Sequence, residues 1–510
     1  MFSSKSPIII AQNAINAVAG VVGIFMLTRF FPVSWGMLAF GMGFVGLFTL
    51  VGDLGFSTAY VKNASAGEDI STLNSTYLLI KLVLSGVFVL LTLLSLLVWV
   101  VVLGHGFEYS IEFYVIIGLI PYYFFVNMLS FSQAYFTSRL SSARMSLPAI
   151  VEALMRNSFI IILVSLFLLG FLHLSINLMA IILPVTYGCT FGTYFAISFF
   201  LGRPWKFSRP SYKLFRKMLT IAVPLTLSAV MGTVSQNLDK VLIQFYWHNL
   251  DTGAFYLNQK LVSMLMNISM AVSVFFLPLM ARASAPGDLS ITERIRNYER
   301  IIFMFISPFV VAFIFLGQFV LNIFGGYYKP FALLLPLLSL NVLFVNSSMV
   351  YTSALISKNR AMSVGIVTLI AISINIVLDL ILIPSEIFGF SGLSLGVVGA
   401  GVGTLASSMF ANIVFRIMFY ETGGVAIGAR IPRLIIPLSV EAIFDILLLR
   451  VVQPYSFFVL APALVATLGV FLLVALLVKE ISVQELRTVM RNFNPLNFPK
   501  QLSKEIDDHD

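Results

Sequence analysis

The chain has 510 residues, of which 59% are hydrophobic and only 10% charged, with a mean hydropathy of +0.99. An average soluble domain carries roughly 25% charged residues, so this composition excludes a soluble globular protein and describes an integral membrane protein. The net charge of +9 is read as basic anchoring of one membrane face, with no nucleic acid as partner, and the long continuous apolar runs exclude the alternating strands of a membrane barrel.

A hydrocarbon core about 30 Å thick takes about 20 apolar residues per helix, which leaves room for about 12 to 14 spans. The predicted spans begin near residues 8, 34, 74, 111, 145, 175, 217, 252, 299, 330, 362, 396, 432 and 455, fourteen in all. The first follows Lys5, contains Gln12, Asn13 and Asn16 and has no small-residue cleavage site, so it is read as a retained helix and not a signal peptide. The sixth holds Cys189, the only cysteine, so the sequence offers no disulfide framework and no cysteine metal site. No cofactor, no metal and no catalytic residue is expected.

Alternate loops differ sharply in charge. One set holds Lys5, Lys62, Arg139, Arg144, the six bases from Arg203 to Lys217, Arg282, Arg294, Arg296, Arg300, Lys358, Arg360, Arg430, Arg433 and the bases of the tail. The other holds little beyond Arg29, Lys329 and Arg450. The positive-inside rule then places both termini in the cytoplasm of a multi-pass plasma-membrane protein, which requires an even number of spans.

A repeat runs through these spans. Tyr135 to Met145, leading into a segment with Asn157, matches Tyr351 to Met362, leading into one with Asn375, about 217 positions later. Trp35-Gly36 and Thr252-Gly253 match at nearly the same offset. The expected organisation is an all-α polytopic protein: a six-helix lobe at 1–200, a basic cytoplasmic linker at 201–216, a second six-helix lobe at 217–425, helices 13 and 14 at 426–478 and a cytoplasmic tail at 479–510. Paired lobes suit alternating access by a transporter.

Enzyme motifs are missing from the sequence. It holds no Walker A loop, no His-Glu-x-x-His helix, no Gly-x-Ser-x-Gly elbow and no paired acidic metal motif. The predicted outer loops are also too short to hold a catalytic domain, which argues against a glycan polymerase or ligase.

Charged residues inside a span cost roughly 2.5 to 3.5 kcal/mol each on insertion scales and therefore mark function or pairing. They are Asp53, Lys81, Glu152, Arg156, Asp239, Lys240, Lys260, Asp379, Arg416, Glu441 and Asp445, with Arg29 at the outer end of the first span. In span 7, Ser228, Gly232, Ser235 and Asp239 share one face, and Thr226, Thr233, Asn237 and Lys240 the adjoining one. Asn13, Asn16, Gly20 and Gly23 form a similar stripe in span 1, and Lys260, Ser263 and Asn267 one in span 8. Spans 1, 7 and 8 are expected to border a hydrated cavity. The structural alternative is close helix packing by small and amide residues, with Glu152 and Arg156 neutralising each other at i, i+4. Arg416 and Asp445 are expected at cytoplasmic or packing surfaces.

A cationic cavity without a nucleophile fits an anionic substrate, because ammonium and guanidinium groups bind diphosphate by charge-assisted hydrogen bonds. The candidate substrate-binding residues are Arg29, Lys81, Arg156, Lys240, Lys260, Asn13, Asn16 and Asn237, with Asp53 and Asp239 as coupling or tuning groups.

Val51-Gly52-Asp53-Leu54-Gly55 through Lys62 resembles the Asp-Leu-Gly segment after the second helix of polysaccharide flippases of the MOP superfamily, which also contains the MATE exporters and lipid II flippases. Asn237 to Lys240, Gly253-Ala-Phe-Tyr, Phe276-Leu-Pro278, Ile381 to Pro384 and Gly396 to Thr404 are similar to later segments of that superfamily, and the stretch between Pro384 and Gly396 is longer than its compact junction. The resemblance implies a fourteen-helix exporter that moves a polyprenol- or dolichol-(pyro)phosphate-linked oligosaccharide from the cytoplasmic to the outer leaflet, with membrane lipids and glycan-assembly enzymes as partners. Competing readings are a cation-coupled multidrug exporter of the MATE type, a membrane glycan polymerase or ligase, and a membrane scaffold.

Overall fold

The computed structural model describes residues 6–102, 104, 106–139, 141–203, 205–281, 291–358, 360–387, 390–421, 431–453 and 456–481. The chain is built of helices in the order α1 (Ser6–Phe30), α2 (Pro32–Phe48), α3 (Phe56–Ser65), α4 (Ile70–Leu97), α5 (Glu112–Ser138), α6 (Ser142–Leu168), α7 (Ile176–Leu201), α8 (Tyr212–Tyr246), α9 (Asn249–Ala281), α10 (Ile291–Phe324), α11 (Leu334–Ser357), α12 (Ala361–Leu382), α13 (Gly396–Glu421), α14 (Ile435–Val451) and α15 (Phe457–Leu477). The one sheet among the described residues is a hairpin of Glu386–Ile387 with Phe390–Ser391, antiparallel with Glu386 opposite Ser391. It occupies the long stretch between Pro384 and Gly396, where the backbone of Leu395 also returns to Leu382 O at 2.8 Å.

Among the described residues, ten helical segments are long and apolar enough to cross a membrane, counting α2 with α3 as one. The helices α1, α8, α9 and α14 fill the remaining positions of the fourteen-span plan. The protein is an all-α polytopic membrane protein. The largest displacement from the sequence-based starts is at α10, which begins at Ile291 instead of near residue 299.

Helix starts have local causes. Asp69 caps α4 by accepting from the Thr72 backbone at 3.0 Å and from the Thr72 hydroxyl at 2.6 Å. The Thr72 hydroxyl is the main reason the Asp69 carboxyl is lowered to about 2, so the cap is ionised at neutral pH. Ser175 and Ser211 cap α7 and α8 in the same manner, accepting from Leu178 N at 3.1 Å and Leu214 N at 3.4 Å.

Two compact units emerge, one holding residues 11–253 and the other beginning at Ala254. In the first, α5 packs along α7, and α8 packs along α2 and α3. The basic stretch at 201–216 is thus followed by a helix that belongs to the same unit as α2 to α7. In the second unit, α11 packs between α10 and α13, α12 packs on α13, and α14 and α15 pack on each other and on α10.

Burial in these helices runs opposite to that of a soluble protein. On α4, Asn74, Ser75, Thr76, Lys81, Ser85 and Thr92 are buried while Leu79, Leu82, Val83, Leu90, Leu93 and Leu97 are exposed. Lipid solvates the leucines, whereas each polar group must find a partner inside the protein.

The tightest seam in the first unit joins α2 to the α8–α9 turn. The Trp35 indole donates to Gly253 O at 2.9 Å in a fully buried setting. A Cβ on Gly36 would lie 2.0 Å from the backbone oxygen of Asn249, so only glycine allows this approach. Gly86 on α4 has nothing within 4 Å of such a position. Gly36→Val should therefore lower the stability of the purified protein by about 1–3 kcal/mol or more. The check is thermal unfolding in detergent with Gly86→Val as control, which should match the wild type.

Candidate functional site

The segment that carries the Asp-Leu-Gly signature is a built junction. After α2 the chain passes through a 3-10 turn at Thr49–Gly52, then places Leu54 at φ 48° and Gly55 at φ 82° before α3 starts. Two successive left-handed residues interrupt the helix; Gly55 adopts this without strain, and Leu54 does so at some cost. The interruption places Asp53 against α4. Lys81 donates to Asp53 Oδ1 and to Gly52 O at 2.9 Å. Ser57 donates to Asp53 Oδ2 at 2.6 Å, and the Tyr77 hydroxyl lies 3.5 Å from Oδ1.

The Lys81 side chain is 0% exposed and that of Asp53 36%. Asn127 of α5 closes the junction from another side, since a Cβ on Gly52 would meet its Oδ1 at 2.1 Å. From α8, Thr226 donates to Leu54 O at 2.9 Å. One turn thus ties together α2, α3, α4, α5 and α8.

A second polar seam runs between α2 and α8. Gly43 faces Lys240, whose Cβ would be 2.7 Å from an added methyl, and Gly46 faces Asn237 Oδ1 at 2.6 Å and the Tyr123 hydroxyl at 3.0 Å. Tyr123 donates to Met42 O at 2.8 Å, and Asn237 donates to Thr233 O at 2.9 Å. Asn237 and Lys240 therefore share the α2-facing side of α8, in keeping with their helical spacing. Asp239 and Lys240 are both buried.

The remaining candidates are spread out. Arg156 donates through Nε to Glu152 Oε1 at 2.6 Å and lies over the Tyr187 ring at 4.9 Å, with Thr190 donating to the same Glu152 oxygen at 3.4 Å. Arg29 is exposed in the last turn of α1. Asn16 is half-buried, and its Oδ1 has no hydrogen-bond partner among the described residues. The side chain of Asn13 lies outside the described residues. Lys260, in the second unit, is half-buried with its ammonium 5.0 Å from the Tyr256 ring centroid. An anion reaching Lys81 or Arg156 would have to displace a carboxylate from it.

Sequence reading missed Glu299. It is absent from the charged residues placed inside spans, because the predicted span begins near residue 299; α10 starts two turns earlier, and Glu299 is fully buried in the second unit. There Arg416 of α13 donates to Glu299 Oε1, Ser347 donates to the same oxygen at 2.6 Å, and Tyr351 donates to Oε2 at 3.0 Å. Asn412 accepts from Arg416 Nε at 2.7 Å. The signal was present in Ile295, Tyr298 and Ile302, which are buried at helical spacing around Glu299. On α12, Asn375 donates to Asp379 Oδ2 at 2.9 Å.

With this geometry in place, residues 4–284 match the family described as "Polysaccharide biosynthesis protein". The chain belongs to that family. No curated protein matches the sequence. Among solved structures, this polysaccharide biosynthesis family member is similar to one described as "Lipid II flippase MurJ, inward closed conformation", with a TM-score of 0.68 at 15% identity, covering 93% of this chain and 98% of that one. An inward-facing multidrug resistance MATE family transporter of the MOP superfamily gives 0.59 at 12% identity, covering 82% and 98%. A MATE in complex with MaD3S gives 0.53 at 13% identity, covering 82% and 94%. The fold of this family member is the one seen in those MOP superfamily structures, as the Asp53-Leu54-Gly55 segment led one to expect.

The Asp53–Lys81 pair yields an asymmetric prediction. Asp53→Asn strands a wholly buried ammonium and should cost about 3–5 kcal/mol, whereas Lys81→Met leaves a partly exposed carboxylate that keeps its Ser57 bond and should cost less. The double substitution should recover most of the Asp53→Asn loss. Denaturant or thermal unfolding of the three purified variants checks the order; equal costs for the two single variants would refute it.

Proposed function

We propose that the protein is a flippase that moves a polyprenol- or dolichol-(pyro)phosphate-linked oligosaccharide from the cytoplasmic to the outer leaflet by alternating access, for surface polysaccharide or glycoprotein glycan assembly. The observation that carries this reading is the family match across residues 4–284. Its fold likeness to a lipid II flippase supports a substrate with a lipid tail. The tail stays in the bilayer while the head group crosses, so the protein has to stabilise only the charged diphosphate and the sugars.

In this reading Lys240 and Lys260 carry the charge that receives the diphosphate, Arg29 assists near the outer exit, and Asn13, Asn16 and Asn237 bind hydroxyls or phosphate oxygens. Lys81 and Arg156 contribute through their carboxylate pairs, and Asp53 and Asp239 tune or couple the cycle. The repeat units at 1–200 and 217–425 supply the rocking elements, with 201–216 as linker and the segments 426–478 and 479–510 as additions. Both termini lie in the cytoplasm of a plasma-membrane protein, with membrane lipids and glycan-assembly enzymes as partners. Moving one charge through 100 mV is worth about 2.3 kcal/mol, enough for a membrane potential or ion gradient to bias the direction.

The likeness to MATE transporters supports a second reading, a cation-coupled exporter of amphipathic drugs. Leaflet-resolved translocation in proteoliposomes separates the two. Polyprenyl and dolichyl diphosphates bearing glycans should be flipped by the wild type, and Lys240→Ala should abolish flipping while the protein still inserts and folds. Normal flipping in Lys240→Ala would remove that residue from the substrate path. No transport of any candidate by folded wild type would favour the drug exporter or a scaffold.

A further inference from the structure

The acidic groups of the C-terminal helix pair play no part in the reading above. Glu441 and Asp445 sit at i, i+4 on α14, one turn apart on a single face, and both residues are 0% exposed. Neither Glu441 oxygen has a hydrogen-bond partner among the described residues, nor has Asp445 Oδ2. Asp445 Oδ1 accepts from the Thr467 hydroxyl of α15 at 2.8 Å. Thr467 is itself fully buried.

Among the described residues, the helices packed against this pair supply no counter-charge at its level. The helix α15 has no charged or titratable side chain from Phe457 to Leu477. Along α10 every charge falls between Glu293 and Arg300, and none occurs from Ile301 to Phe324. At that end of α10, Arg300 donates to Glu480 O at 3.1 Å, and Arg433, just before α14, lies 3.8 Å from the Glu480 carboxylate. Next to Arg433, Leu434 joins Phe471, Ala475 and Ile481 in a buried cluster against which Leu438, Phe303 and Met304 pack. Glu441 and Asp445 lie beyond it, and the remaining base of α14, Arg450, is exposed at the opposite end.

Two ionised carboxylates one helical turn apart, buried among apolar side chains, would combine desolvation with mutual repulsion. We propose that Glu441 and Asp445 form a proton-binding site, in which at least one of the two carboxyls holds a proton at neutral pH. A proton is the ligand that fits, since it needs no cavity. The described residues supply no third acidic, histidine or cysteine side chain that could complete a metal site here. Bound, the proton allows α14 to remain packed on α15 and α10; its loss places uncompensated charge in that contact and loosens it.

The test uses the full chain in liposomes. Infrared difference spectra of wild type against the E441Q/D445N double variant should show, at neutral pH, a protonated-carboxyl C=O band that the double variant lacks and that fades at alkaline pH. A second measurement needs only the wild type. Dicyclohexylcarbodiimide, which reacts with protonated carboxyls in apolar surroundings, should label Glu441 or Asp445 at neutral pH, as mapped by mass spectrometry, and the adduct should be lost at alkaline pH. Carboxylate bands alone from these residues, or no adduct on either, would overturn the proposal. Both readouts are independent of any transported substrate.

Discussion

A polar group inside a bilayer has no water to bond, so it must be partnered within the protein or be neutral. The described helices follow from that constraint. The helix α4 presents leucine and valine outward and turns serine, threonine, asparagine and lysine inward, where Asn74 meets the Tyr60 hydroxyl at 2.6 Å and Lys206 O at 3.1 Å. Hydrophobic burial cannot drive such helices together in lipid, so close backbone approach and internal hydrogen bonds select the arrangement. The glycines of α2 facing Asn237, Lys240 and Asn249 are the clearest product of that selection.

Each compact unit contains its own buried acid–base pair. In the first, a lysine of α4 reaches a carboxylate held by a left-handed turn; in the second, an arginine of α13 reaches a glutamate of α10. The signs are reversed, but the construction is shared: one partner is fully buried, and hydroxyls of Ser57 and Tyr77, or of Ser347 and Tyr351, surround the carboxylate. Such pairs add little net stability compared with apolar packing, yet breaking one is costly, so they hold neighbouring helices in a single register.

Much of this plan was readable from residue order. Span starts predicted near residues 34, 111, 175 and 396 correspond to helices beginning at Pro32, Glu112, Ile176 and Gly396. The i, i+4 spacing of Glu152 and Arg156 anticipated their ion pair, and the Asp53-Leu54-Gly55 motif pointed to the family. Glu299 escaped because hydropathy windows register the average polarity of a segment, and Glu293 to Arg300 is too charged to read as part of a span. Only the packing of α10 on α11, which in turn packs on α13, turns that charge into a buried group with three polar partners, Ser347, Tyr351 and Arg416.

By itself, the sequence determined that this is a polytopic helical membrane protein of the polysaccharide biosynthesis family, because composition, apolar run length and a short motif are local properties of the chain. The tertiary structure alone decided which charges neutralise one another: Lys81 with Asp53 across 28 positions, and Arg416 with Glu299 across 117. It also left both oxygens of Glu441 and one of Asp445 without a hydrogen-bond partner among the described residues. The reason is physical: the energy of a charge in a membrane depends on what lies within a few ångströms of it, and helix packing, not chain order, sets those neighbours.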